Sequence, residues 1–331
     1  YHRLNSDGNI EMSSCCANTA TEHNMMEKLM LDSLRTWATD YKVDGFRFDL
    51  MGHHSKENIL KAQTMLHSLT KAEDGVDGSS IYLYGEGWNF GEVVNNTRFE
   101  QATKENMGNH SGVGSFNDYI RDAVRGGGPF DSGSDHVANQ GFINGLYYDA
   151  NSESQASLTD LLQNMDTIRM VLAGTLADFE FESYLGEKII ASTLGGYTSD
   201  PQEAINYIAA HDNETLFDAN QYKLPIATNA ANRVRAQNMG NSIVAFAQGV
   251  PFFHAGQEML RSKSSDRNSY DAGDWFNLLD FSYQDNGWGR GLPLKGDNEA
   301  NWSVTAPLLA NSDVTVDNEN IIAAIDHMHE I

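Results

Sequence analysis

The 331-residue sequence predicts an α/β fold with parallel strands, arranged either as a barrel or as an open sheet. Segments with apolar residues at helical spacing alternate along the chain with short apolar runs typical of buried strands. Three of these strands end in an acidic residue, at positions 49, 86 and 212. Because functional sites of such folds lie at the carboxyl ends of the strands, we expect the site to contain these three carboxylates.

The first elements form a helix–strand–helix–strand succession. Thr19 and Glu22 have the spacing of a capping box and predict a helix over residues 22–40. A buried strand is predicted over 43–49. Ser55 can cap a second helix, and residues 81–88 (IYLYGEGW) form the next strand. The inner face of the second helix is predicted to contain Ile59, Ala62, Leu66 and Leu69.

Residues 89–155 interrupt this succession, since they are rich in Gly, Asn and Asp, and a loop of this length in a compact domain is usually functional. The pattern then resumes, and residues 261–311 are predicted to be mostly irregular. Helices are predicted near 157–174 and 229–247 and over the last twelve residues, and strands at 176–181, 204–212 and 249–258.

The composition disfavours several classes of partner. The net charge is −24 and the pI about 4.6, so the surface repels nucleic acid and anionic lipid and suits a neutral ligand. No apolar run is long enough to span a membrane. The two cysteines, Cys15 and Cys16, are adjacent, and we predict free thiols because a bridge between neighbours is strained.

The stretch GFRFDL (45–50) directs two charges to one side of a buried strand. Side chains alternate along a strand, so Arg47 and Asp49 share the face opposite to Phe46 and Phe48. A nearby guanidinium keeps a carboxylate ionised and oriented, and such a carboxylate can act as a nucleophile. The alternative interpretation is a structural ion pair.

Glu86 follows the next strand, with Tyr84 and Trp88 on the same face. Aromatic surroundings favour the protonated carboxyl group that a general acid needs, and Gly85 and Gly87 are expected to leave room for a ligand. The alternative is a glycine-rich turn with a solvated glutamate. Asp49 and Glu86 end consecutive strands, which would be neighbours in a barrel. Neighbouring strands lie about 4.8 Å apart, close to the roughly 5–5.5 Å between the carboxyl groups of a retaining glycosidase.

His211 and Asp212 end a later strand. Asp212 can bind sugar hydroxyls and stabilise a transition state that resembles an oxocarbenium ion, and His211 can donate to the same sugar. The alternative is an ordinary hydrogen bond at a strand end.

Three stretches resemble conserved regions of glycoside hydrolase family 13, the α-amylase family: DGFRFDLMGHH (44–54), YLYGEGW (82–88) and INYIAAHDNETLFD (205–218). The resemblance implies that Asp49 is the nucleophile, Glu86 the acid/base and Asp212 the transition-state stabiliser. It also implies that Arg47 and His211 bind substrate.

Further motifs resemble the pullulanases and limit dextrinases of this family: YGEGWNFGE (84–92), GSFNDYIRDAVRGGGPF (114–130) and above all RSKSSDRNSYDAGDWFN (261–277). The resemblance implies hydrolysis of α-1,6 branch links in pullulan, starch or glycogen dextrins. It makes Trp88 and Phe90 sugar-stacking residues. His53 stands where bacterial members often carry Tyr.

The resemblance also implies a partial (β/α)8 TIM barrel that contains strands four to eight. Residues 1–21 would end the loop after strand three, 89–155 would be the long loop after strand five, and 261–311 the long loop after strand eight. The flanking N-terminal and C-terminal β domains of the family would lie outside the chain, and we expect the 331-residue segment alone to be poorly stable and inactive.

No organic cofactor is expected for glycosyl transfer to water, and relatives often hold structural calcium. Two alternatives to a debranching hydrolase are an α-1,4-acting relative and a non-catalytic relative that binds glucan.

Overall fold

The computed structural model describes residues 1–108 and 110–331. Its α-helices are α1 (Asn24–Thr39), α2 (Lys56–His67), α3 (Lys104–Met107), α4 (Asp118–Arg125), α5 (Ser134–Ala138), α6 (Leu158–Leu172), α7 (Leu216–Lys223), α8 (Ala230–Phe246), α9 (Asp274–Asn277), α10 (Lys295–Asn298), α11 (Trp302–Leu309) and α12 (Asn318–Glu330). Its strands are β1 (Gly45–Phe48), β2 (Tyr82–Gly85), β3 (Gly114–Asn117), β4 (Glu180–Glu182), β5 (Lys188–Ile190), β6 (Ala204–Asn206) and β7 (Val250–Pro251).

The chain divides into two compact units. The first unit comprises Tyr1–Phe116, Gly174–Asp178 and Gly195–Ile205. The second unit comprises Asn117–Ala173, Phe179–Leu194 and Asn206–Ile331.

A parallel sheet organises the first unit, with strand order β1-β2-β3-β6. Strands β1 and β2 pair in parallel along their whole length, from Gly45 opposite Tyr82 to Phe48 opposite Gly85. Strand β2 pairs in parallel with β3. The prediction of an α/β fold with parallel strands is therefore confirmed.

Helix α2 forms as its sequence predicts. The Ser55 side chain accepts a hydrogen bond from the backbone N–H of Asn58 and caps the helix. The residues predicted for its inner face are buried in a core that also contains Leu34 and Ala38 of α1 and Phe48 of β1. The core therefore joins both helices to the sheet.

The predicted capping box of α1 is wrong. The helix begins at Asn24 after His23, whose side chain makes no capping hydrogen bond. Glu22 is unavailable for capping because its carboxylate binds the guanidinium of Arg3, at 2.9 Å from both Nε and Nη2.

Arg3 is buried and joins the beginning of the chain to two other segments of the first unit. Its Nη1 donates to Glu92 Oε1 at 2.7 Å, and its Nη2 donates to the carbonyl oxygen of His53 at 2.8 Å. Ser13 donates a hydrogen bond to the second oxygen of Glu92. Burial alone would raise the pKa of Glu92, but the hydrogen bonds from Ser13 and Arg3 outweigh it and lower the pKa to about 2.

The interpretation of residues 89–155 as one long loop needs correction. The segment contains β3, a strand of the parallel sheet, followed directly by α4. The sequence hides β3 because it is only four residues long, Gly-Ser-Phe-Asn, all of them buried. Pairing with its neighbour in the sheet, rather than a pattern of apolar residues, therefore determines that this segment is a strand.

Helices dominate the second unit, and α6, α8 and α12 confirm the predicted helices. Ser157 and Asp160 form a capping box at the start of α6. One apolar core includes residues of α4, α6 and α8, and a second includes residues of α7, α8 and α12.

Three strand predictions are corrected. The strand predicted at 176–181 is β4, which pairs antiparallel with β5 in a two-stranded sheet. Strand β6 ends at Asn206 instead of Asp212, and β7 is only two residues long. The predicted strands are too long because a short apolar run indicates burial but does not by itself identify a strand.

Cys15 and Cys16 are joined in a disulfide, so the prediction of free thiols is wrong. Within the described part of the chain, no helix has both the length and the apolar character needed to cross a membrane.

Candidate active site

Two of the predicted carboxylates follow neighbouring strands of the first unit. Asp49 comes directly after β1, and Glu86 comes directly after β2. Because Phe48 is in register with Gly85, the two acidic residues occupy the next positions of the two strands. The prediction that these strands are neighbours is confirmed.

Arg47 binds both carboxylates. Its Nη1 donates to Asp49 Oδ1 at 2.6 Å, and its Nη2 donates to Glu86 Oε1 at 2.5 Å. The backbone N–H of Leu50 donates to Glu86 Oε2 at 2.7 Å. The strand pattern predicted the pair between Arg47 and Asp49, but not the bond to Glu86, which depends on the pairing of β1 with β2.

The two carboxylates differ in their environment. The Asp49 side chain is 75% exposed, whereas the Glu86 side chain is 5% exposed. Neighbouring carboxyl groups in different environments can perform different roles in one reaction, one as a nucleophile and the other as an acid and base. The guanidinium of Arg47 holds the two groups in a fixed relation through its planar, rigid donors.

The prediction that Gly85 and Gly87 leave room for a ligand is wrong. A Cβ at Gly85 would lie 2.6 Å from the carbonyl oxygen of Phe48, and one at Gly87 would lie 2.5 Å from the backbone nitrogen of Lys104. Both glycines therefore allow close approach of the chain's own backbone, and at Gly85 this approach brings Glu86 next to β1.

Trp88 and Phe90 follow Glu86 and are half-buried. The ring of Phe90 packs against His53, with 4.5 Å between ring centroids. His53 is itself buried, and burial lowers its pKa. The structure therefore assigns His53 a packing contact with one of the two predicted sugar-stacking residues.

The neighbouring His54 is held by contacts with Thr21 and Phe48. Its Nδ1 lies 3.0 Å from Thr21 Oγ1, and its ring packs edge-on against Phe48. Burial lowers the pKa of His54 to about 4, so its ring is neutral at physiological pH. Across residues 1–108 and 110–331, no group of three or more His, Cys, Asp or Glu side chains is placed to hold a metal ion.

His211 and Asp212 lie in the second unit, in a bend after β6. Their side chains are 65% and 60% exposed, and His211 Nε2 lies 3.5 Å from Asp212 Oδ1. The prediction that they end a strand is wrong, since β6 stops at Asn206.

Sequence reasoning missed the residue that supports this bend. Lys263 is buried, and its Nζ donates to the carbonyl oxygens of His211 at 3.2 Å and Asn213 at 2.7 Å. The available signal was a single lysine among small residues in the motif RSKSSDR (261–267), a composition unlike that of a solvated charged face.

Comparisons with known proteins agree with one another. The chain is 47% identical over its whole length to "Pullulanase 1, chloroplastic" of Arabidopsis thaliana, of which it covers 35%. It is 42% identical over 92% of its length to "Pullulanase" of Klebsiella pneumoniae, of which it covers 27%. The chain thus spans about a third of the length of these relatives.

A solved structure has the same fold. The crystal structure of a maltotriose complex of PulA from Klebsiella pneumoniae matches with a TM-score of 0.93 and 39% identity, over 100% of this chain and 35% of that one. Residues 283–331 match the family described as "Alpha-1,6-glucosidases, pullulanase-type, C-terminal". With the motifs around Asp49, Glu86 and Asp212, these matches show that the chain is similar to pullulanase-type members of glycoside hydrolase family 13.

Proposed function

We propose that the protein is a retaining glycoside hydrolase that cleaves α-1,6-glucosidic branch links in pullulan, starch or glycogen-derived dextrins. The observation that carries this proposal is one arginine, Arg47, bound to two carboxylates at the ends of neighbouring parallel strands. The names of the relatives and the motif at 261–277 support branch links as the bonds that are cleaved.

The proposed reaction has two steps. Asp49 attacks the anomeric carbon while Glu86 gives its proton to the leaving glycosidic oxygen, and a covalent glycosyl ester forms on Asp49. Glu86, now a carboxylate, removes a proton from water, which attacks the same carbon and releases Asp49. Two inversions at this carbon give retention of configuration.

The remaining roles follow from the family resemblance. The resemblance makes Asp212 the transition-state stabiliser, and it makes Arg47 and His211 substrate-binding residues. Trp88 and Phe90 present flat apolar faces on which a pyranose ring can stack. No organic cofactor takes part, and no step is assigned to calcium.

We also propose that the chain forms part of a (β/α)8 barrel, about strands four to eight. The parallel pairing of β1, β2 and β3, the strand order β1-β2-β3-β6 and the likeness to PulA support this assignment. The site at the carboxyl ends of β1 and β2 is where such barrels carry their catalytic residues.

Pullulan hydrolysis tests the proposed bond specificity. The protein is expressed from its complete open reading frame and incubated with pullulan, and the products are separated by chromatography. Maltotriose as the product supports cleavage of α-1,6 links. Panose or isopanose would show α-1,4 cleavage instead, and no product from a folded protein would favour a glucan-binding role.

A further inference from the structure

The bend that carries Asp212 is fixed by one buried ammonium group. Lys263 is 1% exposed, and its Nζ donates to the carbonyl oxygens on both sides of Asp212, those of His211 and Asn213. The Asp212 side chain is 60% exposed. The backbone of the bend is thus held from the interior, while the carboxylate of Asp212 faces outward.

The bend contains one residue with a left-handed backbone conformation. Asn213 has φ of 59°, in the left-handed region that L residues adopt at a cost. Its side chain donates to the carbonyl oxygen of Pro129 at 3.0 Å. Lys263 and Pro129 together hold the backbone of the bend in this conformation.

Lys263 is itself held by the helix that follows the bend. Its backbone N–H donates to Asp218 Oδ2 at 2.9 Å, and the Ser262 hydroxyl donates to Asp218 Oδ1. Asp218 lies fully buried in α7, whose N-terminus is capped by Thr215. Lys263 therefore connects the bend to α7 by hydrogen bonds within the second unit.

We propose that Lys263 is a positioning residue for Asp212. It touches no reacting atom, and it acts by fixing the backbone from which the Asp212 carboxylate projects. This inference rests on the proposed function, in which Asp212 stabilises the transition state. A displacement of about 1 Å in a catalytic group can cost about 100-fold in rate, so loss of Lys263 should lower kcat far more than it changes KM.

Lys263→Met tests this inference, since methionine keeps the length and apolar volume of the side chain but removes the ammonium group. Lys223→Met is the matched control. Lys223 is 3% exposed in the same unit, and its Nζ also binds two carbonyl oxygens, those of His136 at 3.1 Å and Asn139 at 2.6 Å. Each variant is made in the protein from the complete open reading frame, alone and combined with Asp212→Asn.

The first readout is kcat on an α-maltooligosyl fluoride, whose activated leaving group keeps slow variants measurable. We expect Lys263→Met to lower kcat about 100-fold with Asp212 present and less than about threefold in the Asp212→Asn background. Lys223→Met should lower kcat by less than about threefold, both with Asp212 present and in the Asp212→Asn background. An equal loss for Lys263→Met in both backgrounds would overturn the inference.

The second readout does not depend on activity. Amide hydrogen exchange of residues 211–215 should become faster in Lys263→Met than in Lys223→Met. Equal exchange in the two variants would overturn the inference, whatever the rates show. An Asp212→Asn protein with unchanged kcat would instead overturn the proposed role of Asp212, while the exchange result would still decide whether Lys263 fixes the bend.

Discussion

Two regions of the molecule place acidic residues by different means. In the first unit, Asp49 and Glu86 follow paired strands, and backbone register brings them to neighbouring positions. In the second unit, Asp212 lies in an irregular bend whose carbonyl groups are held by Lys263, which is separated by about 50 residues in the chain. Strand ends are thus positioned by a regular backbone, and the bend is positioned by a few side-chain hydrogen bonds, two of them from Lys263.

This difference predicts how each region responds to substitution. A strand pair is held by many backbone hydrogen bonds, so changes at its end should alter chemistry without loss of structure. The bend depends on few contacts, each to a buried polar group, so changes around it should alter both geometry and stability.

The largest effect is expected for Asp49→Asn in the first region. An amide cannot form the glycosyl ester, so kcat on pullulan should fall about 10,000-fold or more, with little change in melting temperature. Asp44→Asn is the control, since Asp44 is an exposed carboxylate at the other end of β1. An Asp49→Asn protein with more than about a tenth of the wild-type rate would exclude Asp49 as the nucleophile.

A smaller loss is expected for Arg47→Lys. A lysine ammonium is a compact charge and cannot bind two carboxylates through a planar fork, so kcat should fall about 100-fold. The control is Arg35→Lys, where an exposed arginine pairs with the single carboxylate of Asp74. Steady-state kinetics and melting curves of both variants distinguish these outcomes, and equal activity in the two would show that the shared guanidinium has no role in the reaction.

In the second region, Asp218→Asn should change how stability depends on pH. Burial raises the pKa of Asp218 to about 6 from 3.8, although hydrogen bonds from Ser262 and Lys263 oppose the shift. The folded state therefore binds this proton more tightly than the unfolded state. The resulting stabilisation is complete below about pH 4 and is lost as pH rises through 6, by about 3 kcal/mol.

Denaturant unfolding between pH 4 and 7 measures this effect. The free energy of unfolding should fall with rising pH in the wild type by about 3 kcal/mol more than in Asp218→Asn. Asp326 is an exposed residue of α12, and Asp326→Asn should show the same change of unfolding free energy with pH as the wild type. If the free energy of unfolding changed equally with pH in the wild type and in Asp218→Asn, the raised pKa of Asp218 would be contradicted.

The smallest effect is expected for Glu92→Gln in the first unit. Here the stabilisation is lost as pH falls, whereas the stabilisation from Asp218 is lost as pH rises. The pKa of Glu92 is about 2 in the folded state, below its usual 4.5, so its stabilisation is present above about pH 4.5 and is lost as pH falls towards 2. At pH 7 the variant should be less stable by about 2 kcal/mol, because charged hydrogen bonds to Arg3 and Ser13 are weakened.

The stability difference between the wild type and Glu92→Gln should shrink as pH falls through this range. Glu100→Gln removes an exposed partner of Lys56 and should cost less than about 1 kcal/mol at any pH. A constant difference between the wild type and Glu92→Gln from pH 7 to pH 3 would show that Glu92 is not held ionised.

By itself, the sequence determined helix α2 and the two acidic residues that follow β1 and β2, Asp49 and Glu86. The Ser55 cap and the helical spacing of apolar residues predicted α2, and the alternation in GFRFD predicted that Arg47 and Asp49 share a face. These features are local, since helical and strand periodicity and a cap depend on residues close together in the chain.

Only the tertiary structure decided which side chains hold these residues in place. Arg47 also binds Glu86 because β1 lies next to β2, and Gly85 allows that approach. The end of β6 at Asn206, the strand β3 and the bend held by Lys263 depend on partners distant in the chain. The physical reason is that a buried polar group needs a hydrogen-bond partner, and the fold rather than the local sequence provides it.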